Sequence, residues 1–432
     1  MCIIIEYVPI PYGLKSIKDG IISMKPFTKI ASLLIAVAVA GTSVIATGCS
    51  LNKEWSFKSN GQELPIGVYI YALNSAYQTA ESKAKELEDY DSTKDSWLDM
   101  EITDDDGNTE VARKWIKDTA QETCLTIFAL DQQLEKEGAT IDEITLQSAK
   151  EQAKNAWEVD LYGGMYSSYG YIMPMKDQLE KYGVSLDSYS IAADEMNAKY
   201  SKLFDVTYGK GGSKEVKDDE LKKFFTDDYI DYKYISVNLS ESSTDEEGNQ
   251  TTTALSEEAA KKLTDQFDGF ASDINGGKSF DDAIASYAEE NSDTGTSSVE
   301  QKENLSAGDE IKAELDKLEP GKASTLKVGE NETAVYYLIY KGDINETAKT
   351  YFDDPANSAS VLSAMKQDEF KKYVKELAQA VNYEKNGIVD SYDPKMFFEP
   401  VEPPTTAAPT EVNTNVAEGL GLSSELELPV DE

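Results

Sequence analysis

The chain has 432 residues, with 41 lysines and arginines against 80 aspartates and glutamates, which gives a formal net charge of −39. This length accommodates two or three domains with cores of their own, and the acidity argues against binding to nucleic acids or anionic lipids, which requires basic surfaces. The sequence contains no histidine, which excludes Ser-His-Asp and Cys-His catalysis, zinc sites that use histidine, and acid–base chemistry by an imidazole.

The first 48 residues have the features of an export signal. Met24 is the favoured start, because Lys25 and Lys29 supply positive charge and an uncharged, mostly apolar run follows up to Gly48. We therefore predict a signal peptide over 1–48. The alternative is an uncleaved anchor, since a run of about 19 residues can just span a bilayer.

The signal ends in Ala-Thr-Gly-Cys, which resembles the lipobox of bacterial lipoproteins. The resemblance implies that the thiol of Cys49 takes a diacylglycerol and that residues 49–54 form a lipidated tether. We expect the protein to be anchored in this way to the outer face of the bacterial cytoplasmic membrane. The other cysteines, Cys2 and Cys124, are too few for a disulfide framework.

Residues 55–215 are predicted to be mostly helical. An alternating segment at 55–58 predicts one short strand at the start, and glycines at 209–213 indicate a flexible linker at the end. Apolar residues recur at helical spacing in four segments, predicted as helices over about 66–90, 109–138, 140–157 and 185–208. The acidic run at 104–106 lacks the final glutamate of a calcium-binding loop, and we expect neither a metal site nor a cofactor.

One segment of this region is rich in aromatic and thioether side chains mixed with glycine and serine. Such side chains suit a surface that adapts to many apolar ligands. Packing against the neighbouring helices is the alternative. The candidate ligand-binding residues are Tyr162, Met165, Tyr166, Tyr169, Tyr171, Met173 and Met175.

Residues 216–345 have a different pattern. Strand-like runs at 232–237 and 334–340 enclose two helical patterns, and a Pro-Gly turn at 320–321 precedes the second run. Residues 241–256 are polar and threonine-rich, and we predict a long exposed loop there. Together these patterns indicate a small α+β domain.

Three segments of this domain resemble parvulin-type prolyl isomerases: Gly-Gly-Lys-Ser-Phe-Asp-Asp-Ala-Ile-Ala at 276–285, Leu-Glu-Pro-Gly-Lys-Ala-Ser at 318–324 and Tyr-Leu-Ile at 337–339. The flanks, at 60–65, at 182–187 and in the helix leading into 381–383, resemble the chaperone region of PrsA/SurA-type extracytoplasmic foldases.

The resemblance implies an α+β protein in which a parvulin-like domain is inserted into a helical chaperone domain like the N-terminal domain of SurA. On this basis we expect the helical domain to comprise 55–215 and a closing C-terminal helix within 346–393, with the insert at 216–345. The expected partners are unfolded exported polypeptides and, through the lipid, the membrane. We expect no nucleic acid.

The sequence departs from the parvulin pattern at the catalytic centre. The resemblance places a histidine on each of two central strands, where this chain has Tyr234 and Tyr337, or Tyr336 in place of the latter. The glycine-rich loop of the family is also missing from 294–306. The resemblance therefore implies a chaperone whose isomerase site is degenerate.

Two other functions stay open at this stage. Rotation about a peptide bond, over a barrier of about 18–20 kcal/mol, requires no acid or base, and a tyrosine hydroxyl still forms hydrogen bonds, so an active isomerase is the first alternative. A solute-binding lipoprotein is the second, although that class requires two lobes of alternating strands and helices.

Residues 394–432 are predicted to be a disordered acidic tail, because they are rich in proline and threonine and poor in core-forming residues.

Overall fold

The computed structural model describes residues 54–158, 174–244 and 250–400. From the start of this part of the chain to the linker, the elements are β1 Trp55–Ser59, β2 Gln62–Pro65, α1 Ile66–Ala84, β3 Glu101–Thr103, β4 Thr109–Val111, α2 Ala112–Lys136, α3 Glu143–Glu158, α4 Met175–Leu179, α5 Leu186–Ser190 and α6 Met196–Tyr208. One π-helical turn, Ile191–Glu195, joins α5 to α6.

The remaining elements follow the linker. They are α7 Asp218–Asp228, β5 Tyr229–Asn238, β6 Ser240–Thr244, β7 Gln250–Ala254, α8 Glu257–Asn275, α9 Phe280–Asn291, β8 Thr296–Gln301, α10 Asp309–Leu315, β9 Lys322–Val328, β10 Val335–Lys341, α11 Ile344–Tyr351, α12 Pro355–Gln379 and β11 Glu384–Lys385. The structure is thus α+β, mostly helical with small sheets, as the sequence predicts.

The chain forms two compact units. The first comprises 1–129, 142–198 and 378–432, and the second comprises 130–141 and 199–377, each as far as it is described. The boundaries between the units fall inside α2, α6 and α12 and just before α3.

In the first unit, the segment after α12 adds a strand to the N-terminal hairpin. The sheet order is β11-β1-β2, with Phe57 opposite Lys385. Beside this ladder, the Ser59 hydroxyl donates to the carbonyl of Asn382 at 2.7 Å, and the amide of Asn386 donates to the carbonyl of Trp55 at 2.9 Å. Residues more than 300 positions apart in sequence therefore share one small sheet.

Aromatic side chains fill the core of the first unit. Tyr77 on α1 contacts Trp97 and Phe397, with ring centroids 5.1 and 5.7 Å apart. All four tryptophans of the chain, Trp55, Trp97, Trp115 and Trp157, belong to this unit. Cys124 is a free, fully buried thiol, and burial raises its pKa, so this side chain is inert packing.

The second unit contains a four-stranded antiparallel sheet of order β8-β5-β10-β9. Local signals in the sequence explain its helices. Ser256 and Ser279 cap α8 and α9, each accepting a hydrogen bond from a main-chain N–H three residues later. Pro320-Gly321 forms the predicted turn before β9, where Gly321 has a φ of +74° and Lys322 N–H donates to the Glu319 carbonyl.

Two further aromatic clusters complete the second unit. Phe225 on α7 stacks on Tyr351 at the end of α11, with ring centroids 4.4 Å apart. Phe370 on α12 is fully buried and contacts the rings of Tyr200 and Phe204 on α6 at 4.7 and 5.2 Å.

The structure corrects several predicted elements. Residues 240–244 and 250–254 pair as the strands β6 and β7 instead of belonging to a loop, because five cross-strand pairs of serine-, threonine- and glutamine-rich strands support a ladder without an apolar face. Residues 109–111 form β4, and α2 begins after it. Helix α3 begins at Glu143 instead of 140, and Asp142 accepts its capping hydrogen bond, from Thr145 N–H at 2.9 Å.

The first predicted helix ends at Ala84 instead of 90, and the C-terminal helix, predicted within 346–393, spans Pro355–Gln379. Within 54–158, 174–244 and 250–400, no helix combines the length and the apolar character that crossing a bilayer requires.

Gly342, between β10 and α11, gives a test of this architecture. A Cβ there would lie 2.4 Å from the carboxyl group of Asp231, which accepts a hydrogen bond from Thr347. We expect Gly342→Ala to lower the free energy of unfolding by about 1–3 kcal/mol. In the exposed control Gly269→Ala, in α8, the added Cβ meets no atom within 4 Å, and stability should rise by up to about 1 kcal/mol.

Hydrogen exchange of the β5 and β10 amides, measured by mass spectrometry, reports this stability directly. Protection in Gly342→Ala equal to that of the unchanged protein would show that the corner between β10 and α11 tolerates a side chain.

Candidate functional site

The central sheet has two different faces. Side chains alternate along each strand, and one set, from β5, β9 and β10, packs on α8 and α9. This helix-covered face has a buried core made of Ile235, Phe267, Phe270, Ala271, Ile274, Phe280, Ala283, Ile284, Tyr287, Ala323 and Leu338.

The opposite face, which we call the tyrosine face, is covered only in part, by the short helix α10. Its buried residues are Ile230, Tyr232, Ile311, Leu315 and Ile339, and the half-buried side chains packed on them are Tyr234, Leu305, Ala307, Leu318, Leu326 and Tyr337. The half-buried set leaves apolar and aromatic atoms open to solvent beside α10.

The structure brings Tyr234 and Tyr337 together on this face. Their ring centroids are 6.1 Å apart and the rings are tilted by 56°. Tyr234 lies opposite Ile339, and Tyr337 lies opposite Leu326. Tyr336, the alternative raised by the sequence, lies on the helix-covered face, where its hydroxyl donates to Asp268 at 2.7 Å.

A polar network that sequence reasoning missed adjoins the tyrosine pair. Tyr232 stacks parallel to Tyr234, with centroids 6.3 Å apart, and its hydroxyl donates to Glu300 at 2.9 Å. Glu300 also accepts hydrogen bonds from the hydroxyl of Ser298 at 2.6 Å and from the N–H and hydroxyl of Ser306 at 2.9 and 2.8 Å. The alternation Ser298-Val299-Glu300 was the one signal that could have revealed this side of β8.

The network fixes the charges of its members. Burial raises the pKa of Glu300, but the hydrogen bonds from Ser298, Ser306 and Tyr232 outweigh burial and lower it below its ordinary value of 4.5. Burial, together with the neighbouring carboxylate, raises the pKa of Tyr232. At neutral pH Glu300 is therefore ionised and Tyr232 is neutral.

The other predicted site residues have different positions. Met175 is the first residue of α4 and is half-buried. Cys49 and the remaining six residues of the aromatic segment, from Tyr162 to Met173, lie outside the described residues, as does the tail from 401 onwards.

A second concave surface in this unit is a cleft of about 420 Å³. Its lining residues are Tyr208, Lys214, Glu215, Val216, Glu220, Lys223, Phe224, Asp227, Asp228, Met365, Lys366 and Glu369. Glu369 accepts a hydrogen bond from the Tyr208 hydroxyl at 3.0 Å and forms an ion pair with Lys366 at 2.8 Å. These charged groups of the cleft therefore already have partners within the protein.

The depressed pKa of Glu300 predicts how stability depends on pH. A carboxyl whose pKa is lower in the folded state stabilises the fold above its unfolded pKa, and this contribution disappears as pH falls through the folded value. Because the group is partly exposed, we expect Glu300→Gln to lower stability by only about 1 kcal/mol at pH 7.

Thermal unfolding of both proteins, followed by circular dichroism from pH 7 to pH 3, checks this. The gap between the two midpoints should stay constant down to about pH 5 and narrow below about pH 4.5. A gap that is independent of pH would mean that the glutamate charge contributes nothing to the network.

No family model and no curated protein matches this chain. The chain is similar to a solved structure of the foldase protein PrsA from Lactococcus lactis, with 14% identity over 80% of this chain and 100% of that one, and a TM-score of 0.32. A PrsA structure from Streptococcus pneumoniae matches with 12% identity over 69% and 100%, and a TM-score of 0.31. PrsA from Bacillus subtilis matches with 16% identity over 66% and 94%, and a TM-score of 0.25. These structures are foldases of the type that the sequence resembles.

Proposed function

We propose that this protein is an extracytoplasmic chaperone of the foldase type that binds unfolded segments of exported polypeptides. The observation that carries the proposal is the half-open tyrosine face, where Tyr234, Tyr337 and Leu326 lie together beside a satisfied polar network. Rings and aliphatic groups provide apolar contact area at low entropic cost, and neighbouring hydroxyls accept or donate hydrogen bonds. Such a surface suits weak binding of many sequences.

The proposal includes the finer architecture that the sequence resemblance implies. In it, 216–345 is a parvulin-like insert without the family's histidines, and the helical region of 55–215 is completed by 346–393. Two features support this division: the antiparallel sheet with helices packed on it lies inside the insert, and β11 pairs with β1.

Localisation is also part of the proposal. The apolar run after Lys29 and the Ala-Thr-Gly-Cys segment support export and a lipid on Cys49, followed by residence at the outer face of the cytoplasmic membrane. The aromatic residues of the segment from Tyr162 to Met175 are proposed as a second contact for clients. The net charge of −39 disfavours nucleic acids as partners, and holding a client needs no cofactor.

A prolyl isomerase is the second candidate, favoured by the hydrogen bonds among Tyr232, Glu300 and Ser306 next to the tyrosine pair. A protease-coupled assay with a proline tetrapeptide tests it. If the network supports bond rotation, Glu300→Gln and Tyr232→Phe should lower kcat/KM. Tyr337→Phe, which lies outside the network, is the control and should leave the fold intact. A rate no faster than the uncatalysed background would remove this candidate and leave the chaperone proposal standing.

The chaperone proposal predicts that the protein, as residues 50–432, suppresses aggregation of a chemically unfolded client at a near-stoichiometric ratio. Tyr337→Ala removes a ring from the tyrosine face, and loss of about 1 kcal/mol of contact should weaken client binding roughly fivefold. Tyr337→Phe keeps the ring and should retain most of the binding.

Light scattering during dilution of the client out of denaturant measures the effect. Failure of the unchanged protein to reduce scattering, even in about tenfold excess, would refute the proposal. Equal suppression by the alanine and phenylalanine variants would instead move client binding away from this face.

A further inference from the structure

Strand β9 is an edge of the central sheet, since it pairs with β10 and lies last in the order β8-β5-β10-β9. In an antiparallel pair, the main-chain groups of successive residues point alternately toward the partner strand and away from it. Every second residue of β9 therefore directs its N–H and C=O groups away from β10.

The side chain of Asn275, the last residue of α8, identifies which residues these are. Its amide donates to the carbonyl of Ala323 at 2.9 Å, and its carbonyl oxygen accepts from the N–H of Ala323 at 3.0 Å. Both main-chain groups of Ala323 thus face away from β10, and by alternation those of Thr325 and Lys327 do too. Asn275 occupies the position of a neighbouring strand at one residue only.

The next part of the edge has no such cover. Among the residues that the structure describes, none forms a hydrogen bond to the main-chain N–H or C=O of Thr325 or Lys327 apart from the ladder with β10. Lys327 is exposed, and Leu326, Thr325 and Val328 are half-buried. Two N–H and two C=O groups are consequently available along an extended backbone.

The side chains beside this open edge are those of the proposed client surface. Leu326 lies opposite Tyr337 and packs on the tyrosine face, whereas Thr325 points to the other face and donates to Asp268 at 2.7 Å. A strand added next to β9 would place every second side chain against Leu326, on the tyrosine face. This arrangement suits an extended segment with apolar residues at alternate positions.

We propose that the free edge of β9, from Thr325 to Val328, binds an extended apolar segment of an unfolded polypeptide as a fifth strand of the sheet. The inference rests on the proposed chaperone function and specifies how a client is held. Hydrogen bonding to the client's main chain does not depend on its sequence, which accounts for breadth of binding. Pairing of β9 with a second copy of this chain is disfavoured, because it would place Lys322 and Lys327 of both copies on the same pair of strands, where their like charges repel.

Proline at position 327 tests the proposal. Proline removes the outward N–H of Lys327 and is tolerated on edge strands when that group faces away from the ladder. Lys327→Ala, the matched control, removes the same side chain but keeps the N–H. With residues 50–432 and a labelled, proline-free apolar decapeptide, we expect Lys327→Pro to raise Kd about tenfold and Lys327→Ala to change it less than about twofold.

Fluorescence anisotropy gives these constants, and a second peptide makes the test independent of the proline variant's folding. Methylating alternate main-chain nitrogens of the decapeptide removes its strand donors, so binding to the unchanged protein should weaken about tenfold. Equal Kd values for both peptides, or for a folded Lys327→Pro and Lys327→Ala, would overturn the proposal.

Two readouts separate this inference from the proposed function. If the edge proposal fails while the unchanged protein still suppresses client aggregation, the chaperone function stands and another surface holds the client. If neither peptide binding nor suppression occurs, both are refuted. A concentration-dependent dimer in light scattering that Lys327→Pro abolishes would assign the edge to a second copy and overturn the proposal.

Discussion

Pairing between β5 and β10 is the constraint on which the candidate site depends. Seven consecutive pairs, from Val335 opposite Asn238 to Lys341 opposite Tyr232, fix the register of the two central strands. A slip of one residue would exchange the faces of every side chain on a strand, and Tyr337 would then lie under α8 and α9. The open aromatic surface and the orientation of the β9 edge follow from this register, and the separate pairing of β5 with β8 brings Glu300 to the same face.

The tyrosine face combines two kinds of contact that are usually separated in proteins. The half-buried rings offer an apolar contact surface. Beside them, the Glu300 carboxylate accepts hydrogen bonds from three hydroxyls and one main-chain N–H. Because those bonds are already made, the charge does not require a partner from a bound chain. Binding at such a face is expected to be governed by shape and apolar area rather than by charge.

The sequence predicts the features that local rules control. The turn at Gly321 and both central strands are in the predicted places, because backbone conformation and β-branched or aromatic runs act over a few residues. The strands β6, β7 and β8 escaped prediction, since their residues are mainly polar. Glu300 could not be identified because its partners come from different strands and a loop, which only the tertiary register brings together.

The two hydrogen bonds between the Asn275 side chain and the main chain of Ala323 depend on an amide that can be modified chemically. Asn275 precedes Gly276, and an asparagine before glycine can cyclise to a succinimide, but here the attacking Gly276 N–H donates to the carbonyls of Ser272 and Asp273, which slows the reaction in the folded protein. Hydrolysis leaves an acid in place of the amide, and the donor that meets the Ala323 carbonyl becomes a second acceptor. In such a molecule the Ala323 N–H keeps its acceptor and the Ala323 C=O loses its donor, so deamidation would add one main-chain acceptor to the open part of the β9 edge.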